Sequence, residues 1–155
     1  MAAAPSYLVD TNILLRLSKK DDPNYLLVQA AIEALVMEGS ELCFTPQNLI
    51  EFWNVCTRPA SHNGFGLSVS ETDRLARAIE GTMTLLQDNE KIYPEWLRLV
   101  MRNSVRGVQV HDARLAAAMR VHDISHILTF NQPHFARYTS IKVVHPRDIR
   151  ARRRY

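Results

Sequence analysis

Short apolar segments alternate with helical segments along most of this chain, and that alternation restricts its fold more than any other feature. Tyr7–Val9 and Leu42–Phe44 have the length and apolar character of buried strands. Residues 24–38 between them form a predicted helix that is apolar on almost every side. A strand, a helix and a second strand make a βαβ unit, whose strands are parallel and whose crossover is right-handed in nearly all proteins. The first third of the chain therefore predicts a parallel sheet.

The rest of the chain continues this alternation. Thr45 and Pro46 have the residue types of a helix cap and a first helical position, and they predict a helix that ends near Thr57. Three more helices are predicted. The first is opened by a capping box at Ser68 and Glu71 or at Ser70 and Asp73, and its apolar stripe consists of Leu75, Ile79, Met83 and Leu86. The second runs from Pro94 to near Gly107, and the third covers residues 111–122. Residues 125–130 and 141–144 are two further predicted strands. The predicted fold class is α/β, with helices packed on a central, mostly parallel sheet.

The basic charge of the chain is concentrated at its C-terminus. Residues 147–155 contain five arginines and one aspartate, whereas the whole chain carries a net charge of only +3. We divide the sequence into one globular domain over residues 1–146 and a basic tail over residues 147–155. The tail is either a solvated chain end or an arm that attracts nucleic-acid phosphates through Arg150, Arg152, Arg153 and Arg154.

Nothing in the sequence predicts a membrane or secretory segment. Residues 1–5 lack the basic start and long apolar stretch of a leader, and no window contains the roughly 18 apolar residues that a membrane span requires. Cys43 and Cys56 lie in apolar segments without a CxxC pairing, and we expect both to be reduced core thiols. The expected location is the cytoplasm.

The first predicted strand ends on an acidic residue, in the segment "YLVDTN". Ligands of α/β proteins bind outside the carboxyl ends of the strands, at the point where the strand order reverses. Asp10 stands at such an end, and Thr129 and Asn131 close the third predicted strand of the chain. The sequence therefore places polar side chains from two strands at one edge of the sheet.

Two further acids are candidates for the same edge. Glu51 lies at the centre of a narrow polar stripe on an otherwise apolar helix, together with Gln47, Asn48, Asn54 and Arg58. It is there either a site residue or a solvated carboxylate near Arg58. Asp112 lies in the first turn of the predicted helix over residues 111–122, where an acid also interacts favourably with the helix dipole. Neither residue alone identifies a site.

The three acids together predict a cation. Carboxylates crowded at one sheet edge raise one another's pKa values unless a positive charge neutralises them. Oxygen ligands favour Mg²⁺ or Mn²⁺ over Zn²⁺. His122 and His126 stand four residues apart, but they bridge a helix end and a strand start and lack the glutamate of a zinc-binding HExxH motif.

Four segments of the chain resemble the PIN-domain nucleases, and among these the VapC-like toxins of bacterial toxin–antitoxin pairs. They are "LVDTNILLRL", "TPQNLIEFWNV", "VHDARLAAAM" and "ILTFNQPHF", in this order within residues 6–146. The resemblance implies a three-layer α/β/α sandwich, a metal-dependent endoribonuclease that hydrolyses RNA phosphodiester bonds, and a dimer restrained by a cognate antitoxin. It places the catalytic and metal-binding acids at Asp10, Glu51 and Asp112, and supporting polar groups at Asn12 and Thr129.

The resemblance is weakest at Asn131, a position where many family members carry an aspartate. An amide oxygen can still hold water or an ion, but one negative charge is lost, so the number of bound ions stays open. A catalytically silent PIN-like module that binds RNA or protein is therefore the alternative to the nuclease. The apolar helix over residues 24–38 has more apolar surface than one sheet face can cover, which favours a dimer or antitoxin contact.

Overall fold

The computed structural model describes residues 2–149. Within that range the strands are β1 (Tyr7–Val9), β2 (Leu42–Phe44), β3 (Thr84–Leu85), β4 (His126–Leu128) and β5 (Lys142–Val144). The α-helices of the same range are α1 (Thr11–Leu17), α2 (Tyr25–Met37), α3 (Pro46–Thr57), α4 (Val69–Thr82), α5 (Ile92–Asn103) and α6 (Gln109–Val121). Strands and helices alternate along most of the chain, as the apolar pattern predicts.

The strands form one parallel sheet in the order β3-β2-β1-β4-β5. The chain builds from β1 outward to β2 and β3, and then returns to the other side of β1 to add β4 and β5. In register, Tyr7 of β1 pairs with Leu42 on one side and with His126 on the other. The strand order therefore reverses between β1 and β4, which is where ligand sites form in sheets of this kind.

Helices cover both faces of the sheet, so the fold has the three layers of an α/β/α sandwich. Side chains alternate between the faces along each strand. Leu8 packs into a core cluster with Leu115 and Met119 of α6. Val9 packs into a second cluster, with Val28 of α2 and Phe52 of α3. Buried aliphatic and aromatic side chains fill both clusters. Their packing holds the strands in place, and with them the sheet edge that carries the polar residues.

Two short elements were missed by the sequence analysis. Helix α1 follows β1 directly, and its N-cap is Asp10, whose side chain accepts a hydrogen bond from the Thr11 backbone N–H. Strand β3 has two residues and is defined by its parallel pairing with β2, in which Thr84 lies opposite Cys43. Helix α1 follows β1 without a turn signal between them, and β3 has only two residues, so the apolar pattern marks neither as a separate element.

The structure corrects several predicted helix boundaries, including the start of α6, which is Gln109 and not residue 111. Of the two capping boxes considered for α4, the structure has the Ser68 and Glu71 pair. This helix ends at Thr82, so Met83 and Leu86 of the predicted stripe are buried beyond it. Helix α5 begins at Ile92, two residues before Pro94, and it ends at Asn103 and not near Gly107. Pro94 fits in the first turn because the N–H groups of that turn have no intrahelical acceptor.

Two further predictions concern membrane-spanning segments and the basic tail. No helix within residues 2–149 combines the length and apolar character needed to cross a membrane. Arg150, Arg152, Arg153 and Arg154 of the predicted basic tail lie outside the described residues.

Candidate metal centre

Asp10 lies at the carboxyl end of β1, beside the point where the strand order reverses. Its backbone N–H donates to the Leu128 carbonyl of β4 at 3.0 Å, which fixes the residue between the two central strands. The side chain is buried, with only 6% exposed. Its Oδ1 accepts from the Thr11 N–H at 2.8 Å, and its Oδ2 accepts from Thr129 Oγ1 at 2.7 Å and from Asn12 Nδ2 at 3.3 Å.

Burial raises the pKa of Asp10 to about 6. The hydrogen bonds from Thr129 and Thr11 act in the opposite direction, and the neighbouring Asp112 and Glu51 carboxylates raise the pKa further. The three acids that the sequence singled out are therefore close enough to interact electrostatically. Among residues 2–149, no lysine or arginine forms an ion pair with Asp10 or Glu51.

Thr129 and Asn12 form one hydrogen-bond network with Asp10. Thr129 is fully buried at the end of β4, and its hydroxyl also accepts from Asn12 Nδ2 at 3.3 Å. The Asn12 amide oxygen in turn accepts from the Phe130 N–H at 3.3 Å. These contacts leave the Asp10 carboxylate a single orientation. Asn131 contributes its backbone N–H, which donates to Thr129 Oγ1 at 2.9 Å, while the residue itself is exposed.

Glu51 is half-buried on α3, and both of its carboxylate oxygens accept hydrogen bonds. Oε2 accepts from Thr11 Oγ1 at 2.7 Å, and Oε1 accepts from Gln47 Nε2 at 2.9 Å. The Thr11 hydroxyl accepts from Asn48 Nδ2 at 3.1 Å, so its own proton is directed to Glu51. Because Thr11 follows Asp10 directly, this bond links Glu51 on α3 to the end of β1.

Asp112 lies in the first turn of α6, and its Oδ2 is 3.2 Å from Nδ1 of His134. Burial raises the pKa of Asp112, His134 opposes that shift, and Glu51 adds to it. His134 comes from the loop that follows β4, and the sequence analysis did not single it out. Thr11, Gln47 and Asn48 were also missed as site residues, although Gln47 and Asn48 belong to the polar stripe that identified Glu51.

The donor set fits a hard divalent cation in its chemistry and charge. Carboxylate and hydroxyl oxygens dominate the sheet edge, and they are the ligand types of Mg²⁺ and Mn²⁺. A carboxylate whose pKa is raised by burial, and further by two neighbouring acids, is the situation that a cation relieves. Within residues 2–149, the side chains form no group of three or more His, Cys, Asp or Glu residues that could hold a metal ion. The acids are instead held by protein donors.

Comparison with known proteins identifies the family. The sequence model described as the PIN domain matches residues 7–140. The chain belongs to the PIN domain family. No curated protein sequence matches this PIN domain.

Solved structures share the fold of this PIN domain at low sequence identity. VapBC2 from Rickettsia felis, bound to a promoter DNA fragment, is 13% identical, with a TM-score of 0.70 over 90% of this chain and 98% of that one. VapC20 from Mycobacterium tuberculosis, described as a toxin that cleaves the sarcin-ricin loop, is 16% identical, with a TM-score of 0.62 over 84% and 93%. A toxin–antitoxin complex from Klebsiella pneumoniae is 20% identical, with a TM-score of 0.63 over 90% and 97%. These likenesses establish the three-layer fold.

Proposed function

We propose that this PIN domain is a metal-dependent endoribonuclease and the toxin of a toxin–antitoxin pair. The observation that carries the proposal is the buried Asp10 carboxylate, whose pKa is raised to about 6 at the point where the strand order reverses. A carboxylate in that environment is costly to keep ionised, and enzymes concentrate such groups where they do chemistry. The Mycobacterium tuberculosis structure is described as a toxin that cleaves the sarcin-ricin loop, which supports the choice of RNA.

In the proposed mechanism, Asp10, Glu51 and Asp112 would hold Mg²⁺ or Mn²⁺. The ion, when bound, would neutralise the phosphodiester and make a nearby water easier to deprotonate. Glu51 would accept a proton from the attacking water as a general base while a bond forms between the water oxygen and phosphorus. The bond from phosphorus to the leaving oxygen would then break, and that oxygen would take up the proton held by Glu51. Thr129 and Asn12 keep Asp10 in one orientation, and Asn131 lies beside them to position water or substrate.

The proposal is tested by incubating the purified protein, free of any antitoxin, with a pool of structured RNAs in Mg²⁺, in Mn²⁺ and in EDTA. Asp10→Asn is the inactive variant, and Asp73→Asn is the matched control, because Asp73 is an exposed aspartate on α4 that pairs with Arg77. We expect cleavage that requires a metal, is lost in Asp10→Asn and is retained in Asp73→Asn. Cleavage that persists in folded Asp10→Asn would refute the assignment.

A catalytically silent binding module is the second candidate, and Asn131 favours it. This residue places a neutral amide where a fourth acid would strengthen a metal site, and the three acids are not preassembled around an ion. Absence of cleavage with either metal, together with RNA binding by the same folded sample, would select the silent module.

The proposed partners follow from exposed surface and charge. Leu26, Val36 and Met37 of α2 are 73%, 58% and 75% exposed, which supports a contact with a second copy or a cognate antitoxin. We propose a cytoplasmic homodimer, and sedimentation that shows only monomer at micromolar concentration would contradict it. The structures from Rickettsia felis and Klebsiella pneumoniae are a VapBC pair and a toxin–antitoxin complex, which supports an antitoxin partner.

We also propose that Arg150, Arg152, Arg153 and Arg154 act as an RNA-binding arm. Removing residues 150–155 deletes four positive charges. The slope of log affinity against log salt should become shallower by up to about 3, since each phosphate contact on single-stranded RNA contributes about 0.7. A slope equal to that of the full chain would show that the tail does not contact RNA.

A further inference from the structure

A chain of hydrogen-bonded side chains connects the surface residue Asp88 to Glu51. Arg114 NH2 donates to Asp88 Oδ2 at 2.9 Å, and Arg114 NH1 donates to Gln47 Oε1 at 3.0 Å. Gln47 Nε2 then donates to Glu51 Oε1 at 2.9 Å. The same Nε2 donates to the carbonyl oxygen of His111 at 2.8 Å. The side-chain amide oxygen and the amide N–H₂ group of Gln47 are therefore both hydrogen-bonded within a single network.

The orientation of the Gln47 amide is determined by its partners. Arg114 has only donors, so the Gln47 oxygen must face it. Both N–H groups then face acceptors, namely the Glu51 carboxylate and the His111 carbonyl. Gln47 is 8% exposed, so the reverse orientation would leave donors facing donors without water to compensate. Arg114 therefore selects the one amide orientation that serves Glu51.

This network spans the two helices that carry the acids. Gln47 and Glu51 are one turn apart on α3, whereas His111 directly precedes Asp112 on α6. One amide group thus contacts the carboxylate of one acid and the backbone beside the other. A change at Gln47 alters the distance and orientation between these acids without removing either of them.

We infer that Gln47, oriented by Arg114, is a positioning residue that fixes the Glu51 carboxylate relative to Asp112. This inference rests on the proposed nuclease function of the same site. Thr11 restrains the other oxygen of Glu51, so Gln47 and Thr11 together hold the carboxylate from α3 and α1. Groups that orient metal ligands in this way commonly change metal affinity or activity by about 10- to 100-fold when they are replaced.

The test replaces Gln47 by methionine, which keeps the length of the side chain and removes its hydrogen-bonding groups. We expect kcat for RNA cleavage to fall by about 10- to 100-fold, with KM within about twofold of the wild-type value, because the residue acts on Glu51 and not on RNA. The affinity for Mn²⁺ alone, measured by electron paramagnetic resonance without RNA, should fall by a similar factor. Gln29→Met on α2 is the matched control and should leave both values unchanged.

A double-mutant comparison tests the role of Arg114. Arg114→Met should reduce kcat by less than Gln47→Met does, and the double variant should be no slower than Gln47→Met alone, because Arg114 acts through Gln47. Arg77→Met, which removes an arginine that is ion-paired on α4, is its control. If the loss of kcat in the double variant equals the product of the two single losses, Arg114 does not act through Gln47, and the proposed order of the hydrogen-bond chain is overturned.

The outcomes separate this inference from the proposed function. Wild-type protein that binds Mn²⁺ but cleaves no RNA refutes the nuclease, and the Mn²⁺ affinities then decide the role of Gln47. Unchanged kcat and Mn²⁺ affinity in folded Gln47→Met would overturn the inference, and wild-type protein that neither binds Mn²⁺ nor cleaves RNA would overturn both. If Gln47→Met does not fold, Arg114→Met tests the same contact, since it leaves Gln47 in place and removes only the group that orients it.

Discussion

Replacing Asp10 by asparagine should stabilise the metal-free protein at neutral pH while abolishing its activity. Burial raises the pKa of Asp10 from 3.8 to about 6, so keeping the folded carboxylate ionised above pH 6 costs about 3 kcal/mol, at 1.36 kcal/mol per pKa unit. An asparagine does not carry this cost. Its amide oxygen would face Thr129 and Asn12, which now donate to Oδ2 of Asp10, so its N–H₂ would face the Thr11 N–H, which now donates to Oδ1 at 2.8 Å. Losing that bond costs about 1 kcal/mol. The expected net gain is about 2 kcal/mol.

The sign of this effect depends on pH in a way that identifies its cause. A group whose pKa is raised by folding contributes stability below its unfolded pKa, and that contribution is lost as the pH rises through its folded pKa. Asp10→Asn should therefore be about 1 kcal/mol less stable than the wild type below pH 3.8, where Asp10 is neutral in both states. Its advantage should appear between pH 4 and pH 6 and stay constant above about pH 7.

The assay is urea unfolding at several pH values between 3.5 and 8 in EDTA, with wild type, Asp10→Asn and the exposed control Asp73→Asn. A gain of about 2 kcal/mol corresponds to a rise in melting temperature of about 4 to 8 °C for a chain of this size. Adding Mg²⁺ should then stabilise the wild type more than Asp10→Asn, because the ion binds only the folded site. A stability difference that does not change with pH would refute the reasoning, as would a less stable Asp10→Asn at pH 8.

Three further predictions concern the same sheet edge and its core. Thr129→Val removes the hydroxyl that donates to Asp10 at 2.7 Å, and should raise the pKa of Asp10 by about 1 unit or more; an acidic limb of the pH–rate profile that stays in place would contradict this. Asn131→Asp adds a negative charge beside Thr129 and should tighten Mn²⁺ binding in calorimetry, whereas unchanged affinity would place residue 131 away from the ion. Burial raises the pKa of Cys43 to about 12 and of Cys56 to about 11, so iodoacetamide should label neither thiol in the folded protein at pH 8. Rapid labelling without unfolding would show that these thiols are accessible.

The sequence predicted the elements that carry an apolar run, a helical period or a cap of their own. The βαβ unit, the α3 cap at Thr45 and the second apolar half of the sheet were all found in this way. The parallel sheet and the three layers were confirmed. Helix α1 and strand β3 were missed, since each is defined by a cap or a pairing that has no repeat in the sequence. The helix ends were displaced where a buried residue such as Met83 continued the apolar pattern beyond the last helical turn.

The identity of the acids was readable from the sequence, whereas their environment was not. Strand ends and helix turns mark Asp10, Glu51 and Asp112 because apolar flanks make an acid conspicuous, and the resemblance to the PIN-domain nucleases then predicts their roles. The hydrogen bonds that hold these carboxylates come from partners as far apart in sequence as Thr129 and Asp10. Gln47 contacts both Glu51 and the backbone at His111 only because α3 and α6 meet at one edge of the sheet. Local sequence determines which elements form, but burial, pKa and orientation depend on side chains brought together by tertiary packing.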